Sequence, residues 1–392
     1  MRNSLRTRVV AVTCTFLAPW GYPGAYLPDP ADRSYVCRAL EFAMQVGVIT
    51  NPNSKKNYRR PQRRRSLEQA VGRHGVVRET ASLDDLPRVV GELLDAGCKY
   101  WVADGGDGTL HWVLNSVYAA VQARTPAGQA LDLPIVVPTN GGTVDFVARK
   151  AGLRGDADSI VRRLVARIER DAPISTIRVD TCRVLGKAHD AGAPRFDRIG
   201  LAAALGGASA AFFDRFYALP KDRGALAIAS VIGAAAGSAL VHSLAPPLRR
   251  FLPGELGDVD SHNDFFRPTR ARIEVDGRTL PYSTFVSLQV GAIDINLAGV
   301  VRCFRHAREG GVLHFQALST SPLGMVRNVP AMFLGTPIVG EGVYDDRAVN
   351  VVITAEDGER LGPVIDGEQF SGLDRMELSL GPALRIPTLL SN

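Results

Sequence analysis

Apolar positions recur along this chain in two rhythms. Up to about residue 140 short apolar runs alternate with stretches whose apolar residues return every three or four positions. Val46 to Ile49, Val76 with Val77, Tyr100 to Ala103, and Ile135 to Val137 are the short runs. Leu86, Val89, Val90, Leu93 and Leu94, then Leu110, Val113, Leu114 and Val117, keep helical spacing. The pattern predicts strands alternating with helices, hence a layered α/β domain with a mainly parallel sheet. Beyond about residue 175 the period falls to two: Ile177 and Val179; Ile273 and Val275; Val286, Leu288 and Val290; Val349, Val351 and Ile353. Asp276-Gly277 and Asp357-Gly358 follow two of these runs as turn signals, so an antiparallel, β-rich second domain is expected.

One stretch fits neither rhythm. Ala225 to Ala245 carries no Asp, Glu, Lys or Arg and approaches membrane-spanning length. Its Ala, Gly and Ser supply little transfer energy and His242 interrupts it, so a buried or interfacial helix is expected rather than a span.

The 392 residues are more than one core usually holds. With 46% hydrophobic and 22% charged residues the chain is globular, and a net charge of +6 is too mild to choose among anionic partners. Cys14, Cys37, Cys98, Cys182 and Cys303 are scattered, with no CxxC pair, which argues against a zinc knuckle or disulfide framework and for reduced, cytosolic thiols. Arg2, Arg6 and Arg8 before an apolar run loosely resemble a signal peptide, without a convincing cleavage site. Met44 opens MQVGVITNPNSKK, the first strand, so residues 1–43 are read as an extension outside the fold.

The chemistry concentrates in loops that follow strands. Gly105-Gly106-Asp107-Gly108-Thr109 lies where α/β sheets bind ligands, at a strand's carboxyl end and before a helix. Glycines let the backbone approach a phosphate, the helix start directs N–H groups at an anion, and Thr109 adds a hydroxyl. Asp107 would repel bare phosphate, so it implies Mg²⁺ or a substrate hydroxyl. Alone the motif fits a capped glycine turn equally well. Asn51-Pro52-Asn53-Ser54 and Gly141-Gly142-Thr143, however, follow other strands at the same sheet edge.

The ordered set NPNS at 51–54, GGDGTLHWVLN at 105–115, GGTVDFVAR at 141–149 and DGE at 366–368 resembles the diacylglycerol kinase and sphingosine kinase catalytic-domain family, including the bacterial lipid kinases. The likeness runs from Met44 to near the C-terminus. It implies an ATP-binding α/β domain at 44–174 with a three-layer, mostly parallel arrangement, and a sandwich-like lipid-binding domain at 175–375. A segment at 376–392 would return to the first domain. It implies a nucleotide site lined by Asn51, Pro52, Asn53, Ser54, Lys55, Thr80, Gly105 to Thr109, Gly142 and Thr143. Asp366 or Glu368 would take the proton of the attacking lipid hydroxyl, and Asp107 would be the contact for Mg²⁺. The implied activity is ATP-dependent phosphorylation of a diacylglycerol-like or sphingoid lipid in phospholipid metabolism, by a cytoplasmic protein peripheral at the membrane.

The chain departs from the family pattern in places. Lys55 replaces a glycine, and Asp145 and Phe146 replace an asparagine and an aspartate. Arg308-Glu309-Gly310-Gly311 stands where many bacterial members hold a structural Mg²⁺, and no such metal is expected. Lys55, Lys56, Arg59, Arg60, Arg63, Arg64 and Arg65 form a basic loop that reads equally as a solvated surface or an anionic-membrane contact. Nucleic acid is disfavoured because only Tyr58 offers a stacking ring. Asp260-Ser261-His262 reads as a plain loop rather than a catalytic triad. The rival functions are an NAD kinase, which shares GGDGT, and a catalytically silent lipid- or nucleotide-binding relative.

Overall fold

The computed structural model describes residues 44–54, 57–139, 147–148, 151–219, 225–243, 258–297 and 301–389. The N-terminal extension at 1–43, Lys55, Lys56, Gly142, Thr143, Asp145 and Phe146 lie outside these residues.

Four parallel strands, β1 (Val46–Thr50), β2 (Gly75–Glu79), β3 (Tyr100–Asp104) and β4 (Ile135–Pro138), form a sheet in the order β2-β1-β3-β4. β1, β3 and β4 are buried at every position, as expected for parallel strands covered on both faces. The covering helices are α1 (Arg63–Val71), α2 (Leu86–Asp95), α3 (Asp107–Arg124) and α4 (Ala157–Glu169). Chain order reverses between β1 and β3, which makes the crevice beyond their carboxyl ends the topological switch point.

The antiparallel part is a sandwich. Strands β5 (Thr176–Val179), β6 (Cys182–Ala188), β7 (Phe196–Gly200) and β8 (Ala202–Gly207) precede two helices, α5 (Ala208–Ala218) and α6 (Ala225–His242). After α7 (Val259–Phe265) come β9 (Thr269–Val275), β10 (Arg278–Thr279), β11 (Thr284–Phe285), β12 (Ser287–Gly291), β13 (Ile295–Leu297), β14 (Val301–Cys303) and β15 (Leu313–Leu318). The chain closes with α8 (Pro322–Arg327), α9 (Val329–Leu334), β16 (Val343–Ala348), β17 (Asn350–Ala355), β18 (Val364–Ile365), β19 (Glu368–Gln369), β20 (Leu373–Leu380) and β21 (Leu384–Pro387). One sheet runs β10-β9-β17-β20-β6-β7 with β11 on β9, the other β16-β15-β12-β8-β18-β19. Alternate residues such as Leu205, Leu288, Ile353 and Leu378 fill the core between them.

Asp276-Gly277 turns β9 into β10 with both residues in the left-handed region, which Gly and Asp tolerate. β21 pairs with β5, and Leu384, Ile386 and Leu389 join the core of the parallel sheet. α6 buries one face against α5, α7 and α8 and exposes Leu226 and Leu240 on another. Among the described residues no helix is long and apolar enough to cross a membrane. Cys98, Cys182 and Cys303 are buried and free.

Asp260-Ser261-His262 is helical rather than a loop, because Asp258 caps the amides of Asp260 and Ser261 and starts α7. His262 meets Ser238 of α6 at 2.8 Å, and the Ser261 hydroxyl accepts from Arg215, so the three make no triad.

Candidate active site

The sheet edge is organised by a buried carboxylate. Asp104 closes β3 beside Thr50, its register partner, and only 2% of it is exposed. It accepts from Thr50 Oγ1 at 2.7 Å, from Asn57 Nδ2 at 3.0 Å, and from both prongs of Arg63 at 3.0 and 2.7 Å. Arg63 also pairs with Asp158 at the start of α4. Burial opposes its charge, yet the bonds to Asp104 and Asp158 raise the guanidinium above its ordinary value. An ion pair taken out of water persists only with such full hydrogen bonding. Arg63 therefore leaves the basic loop: it is a buried strut, while Arg59, Arg60, Arg64 and Arg65 stay exposed.

On this base the sequence-predicted loops converge. Asn51 Nδ2 donates to Thr109 Oγ1 at 3.1 Å, tying the first loop to the glycine loop. Thr80 N donates to Thr50 O, and Gly105 N to Thr139 Oγ1 at 3.3 Å, which adds the β2 and β4 ends. Gly105 is required because a Cβ there would stand 2.2 Å from Thr109 Oγ1. Gly106 caps α3 without a side-chain acceptor, leaving first-turn amides for a ligand. Asn51, Asn53, Ser54, Thr80 and Gly106 to Thr109 all line one cavity. The Ser54 hydroxyl is buried and has no partner among the described residues, as a phosphate-binding hydroxyl would be before its ligand arrives.

The second half of the site comes from the sandwich. β18 and β19 are joined by Asp366 and Gly367, at φ 50° and 93°, a tight hairpin turn. Asp366 is both a turn residue and a fixed one: its Oδ1 accepts from Leu201 N at 2.8 Å and Ala202 N at 3.1 Å. Its Oδ2 lies 3.3 Å from Nδ1 of His111, a fully buried residue of α3. Asn115, one turn further, donates to Ile199 O and accepts from Ile199 N, both at 2.9 Å. α3 thus carries the nucleotide loop at its start and clasps the sandwich along its length.

Glu368 reaches the start of α3. Its Oε1 would stand 2.5 Å from a Cβ on Gly108, and no hydrogen-bond partner holds it among the described residues. The Tyr217 hydroxyl donates to Gly367 O at 2.6 Å. Burial and the charges of Glu368 and Asp107 push its pKa up to about 12, so it stays a donor at any physiological pH. Asp107, Glu368, Tyr217 and the Asp366 turn therefore share one small volume. Gly108→Ala costs the helix nothing in propensity but collides with Glu368, so kcat is expected to fall with little change in melting temperature. Steady-state rates beside a thermal melt check this.

Sequence reasoning missed Thr50, Asn57, Asp104, His111, Asn115 and Tyr217. A signal existed for two: Asp107, His111 and Asn115 recur at i, i+4 and i+8, one polar line along a single face of the helix. At the Arg308–Gly311 loop, Arg308 bonds Asp294 at 2.9 Å, Arg347 bonds Glu309 at 2.8 Å, and Gly311 N donates to Asp180 at 2.6 Å.

Residues 45–177 match the family model of the diacylglycerol kinase catalytic domain. No curated protein matches the chain. Among solved structures, a Bacillus anthracis str. Sterne protein provisionally assigned as a diacylglycerol kinase is similar, at TM-score 0.55 and 14% identity, covering 88% of this chain and 96% of its own. A second structure from that organism, with the same provisional assignment, reaches 0.51 at 15% identity over the same shares. Yeast NADH kinase complexed with NADH gives 0.44 at 10% identity, covering 88% of this chain and 84% of its own. The two Bacillus likenesses bear on the fold: a parallel α/β domain followed by an antiparallel sandwich. The kinase class rests on the catalytic-domain match.

Proposed function

We propose that this kinase transfers the γ-phosphoryl group of ATP to a hydroxyl of a diacylglycerol-like or sphingoid lipid, working peripherally at a membrane from the cytoplasmic side. The observation that carries the reading is a continuous cavity of about 860 Å³. The Asn51, Thr80 and Gly106 loops give it polar walls, and Asp107, Asp366 and Glu368 line it as well. The far end is apolar, walled by Phe212, Phe213 and Phe216 of α5, Ile228 and Ile232 of α6, and Met332 of α9. An amphiphile fits such a chamber; a dinucleotide, polar at both ends, does not.

The residues suit ATP and Mg²⁺. The unpartnered Ser54 hydroxyl and the α3 amides would hold phosphate oxygens. Among the described residues no group of three or more His, Cys, Asp and Glu forms a metal cage; Mg²⁺ usually takes one or two carboxylates plus phosphates and waters, which Asp107 alone can serve. When bound with the nucleotide, Mg²⁺ supplies charge neutralisation on the phosphates. Glu368, whose carboxylate has no hydrogen-bond partner among the described residues, takes the proton as the lipid oxygen bonds to phosphorus and the bond to the leaving ADP oxygen breaks. Asp366 holds the turn that aims Glu368, with His111 behind it.

Incubation with radiolabelled ATP and either a lipid panel or NAD tests the reading. Labelled lipid is expected, and Ala235→Trp, which fills the apolar end, should raise the lipid KM severalfold without changing the KM for ATP. Labelled NAD with no labelled lipid would overturn the reading.

A further inference from the structure

The wall of the apolar chamber is not uniformly apolar. On the cavity-facing side of the β16-β15-β12-β8 sheet, Asp345, Gln316 and Gln289 stand directly opposite one another, since Gln316 registers with both Asp345 and Gln289. Gln289 lines the cavity; Gln316 and Asp345 lie behind it, covered. Such a row is costly beside an apolar chamber unless every group is matched.

The row fixes the direction of each amide. Asp345 accepts from His314 Nε2 and Gln316 Nε2, both at 2.7 Å, from Ile338 N at 2.7 Å, and from Arg305. Burial opposes its ionisation, but these four donors hold the carboxyl well below the usual range. An ionised carboxylate only accepts, so Gln316 must turn its Nε2 towards Asp345 and its Oε1 towards Gln289. Gln289 must then donate Nε2 to Gln316 Oε1. Its own Oε1 is left with no protein partner among the described residues. A chain of oriented bonds, anchored on one buried charge, thus presents a hydrogen-bond acceptor to the chamber.

Gln289 also lies close to the chemistry. Its register partner Ala204 pairs with Val364, two residues before Asp366, so Gln289 is two strand spacings, roughly 10 Å, from the catalytic hairpin. Its long side chain narrows that gap. Ser209, nearby, bonds the carbonyls of Gly206 and Leu288. Ser287 also lines the cavity, but a freely rotating hydroxyl serves donors and acceptors alike and cannot discriminate.

We infer that Gln289 is a specificity-determining residue whose Oε1 accepts a hydrogen bond from a second donor on the lipid, close to the hydroxyl that is phosphorylated. The substrate is then a single-chain polar lipid, such as a sphingoid amino alcohol or a monoacylglycerol, rather than a diacylglycerol, whose ester groups offer no donor. The inference rests on the lipid-kinase reading and narrows its substrate class. A site built around a buried polar group discriminates strongly against a ligand that leaves it unmatched.

Three lipids of matched chain length, a diacylglycerol, a monoacylglycerol and a sphingoid amino alcohol, separate the outcomes in mixed micelles with radiolabelled ATP. The wild-type protein should show kcat/KM about tenfold or more higher for the two donor-bearing lipids. Gln289→Met, nearly isosteric, should erase that gap by raising KM for those two lipids alone, with kcat and the KM for ATP little changed. An equal loss towards all three lipids would reduce Gln289 to a structural part and overturn the assignment. Lipid binding followed by intrinsic tryptophan fluorescence, to which Trp112 in the cavity lining contributes, needs no variant and should rank the lipids in the same order; a diacylglycerol ranked first overturns the assignment even if Gln289→Met fails to fold. Labelled lipid without donor preference sinks this assignment alone, whereas no labelled lipid sinks the proposed function and this assignment together.

Discussion

Replacing Glu368 with Gln should slow phosphoryl transfer by roughly 10²–10⁴-fold, the range in which a positioned general base contributes. The change keeps the shape of the side chain and removes only its capacity to take a proton. Among the described residues no hydrogen bond or ion pair grips this carboxylate, so folding should not notice: the melting temperature should stay close to that of wild type. Nucleotide binding should persist, because the proposed role of Glu368 is towards the lipid hydroxyl and not towards ATP. Asp366→Asn is the informative contrast. Asp366 accepts from two backbone amides and faces His111, so that variant should lose stability as well as rate. If Glu368→Gln turned over at the wild-type rate while Asp366→Asn kept its stability and lost only rate, the two roles would have to be exchanged. Rapid-quench measurement of a single turnover isolates the chemical step from lipid release.

The parallel sheet was legible because three of its strands, β1, β3 and β4, are buried at every position and read as short unbroken apolar runs between helical stretches. β1 through β4 fall where the sequence places them. The sandwich was legible in class but not in detail: Val286 and Val349 continue an alternation that the strands β12 and β17 do not include, since hydrogen-bonded register rather than pattern sets where a strand begins. The glycine loop, the Asn51 loop and the Asp-Gly-Glu turn could be found because each lies within a few consecutive residues. Asp104 with Arg63, and the row from Asp345 to Gln289, could not. Their members are scattered over the chain, and a charge destined for burial looks like any surface charge until its partner is placed beside it. Arg63 shows the consequence, for it sits among six other basic residues between Lys55 and Arg65 and shares their pattern.

Arg63→Ala should therefore destabilise the protein by about 3–5 kcal/mol, the cost of leaving one member of a buried ion pair uncompensated. Arg64→Ala and Arg65→Ala, both at exposed positions of the same helix, should change stability by no more than about 0.5 kcal/mol. The asymmetry follows from what each arginine touches. Arg64 has only Glu68 one turn away, in water, whereas Arg63 supplies two of the donors on Asp104 and a third to Asp158. Arg63→Lys should recover part of the loss, since an ammonium restores the charge but not the two-pronged geometry. Exchanging both partners, Arg63→Met with Asp104→Leu, should restore more stability than either single change predicts, because no charge is then left unpaired. That double variant should still bind ATP poorly: without the Asp104 carboxylate, Asn57 and Thr50 each lose a side-chain acceptor beneath the Asn51 loop, and Asn57 keeps only the carbonyls of Asn51 and residue 104. Urea unfolding midpoints separate the stability terms, and the KM for ATP reports the loop. Equal, small losses at all three arginines would return Arg63 to the solvated surface and remove the strut from beneath the nucleotide site.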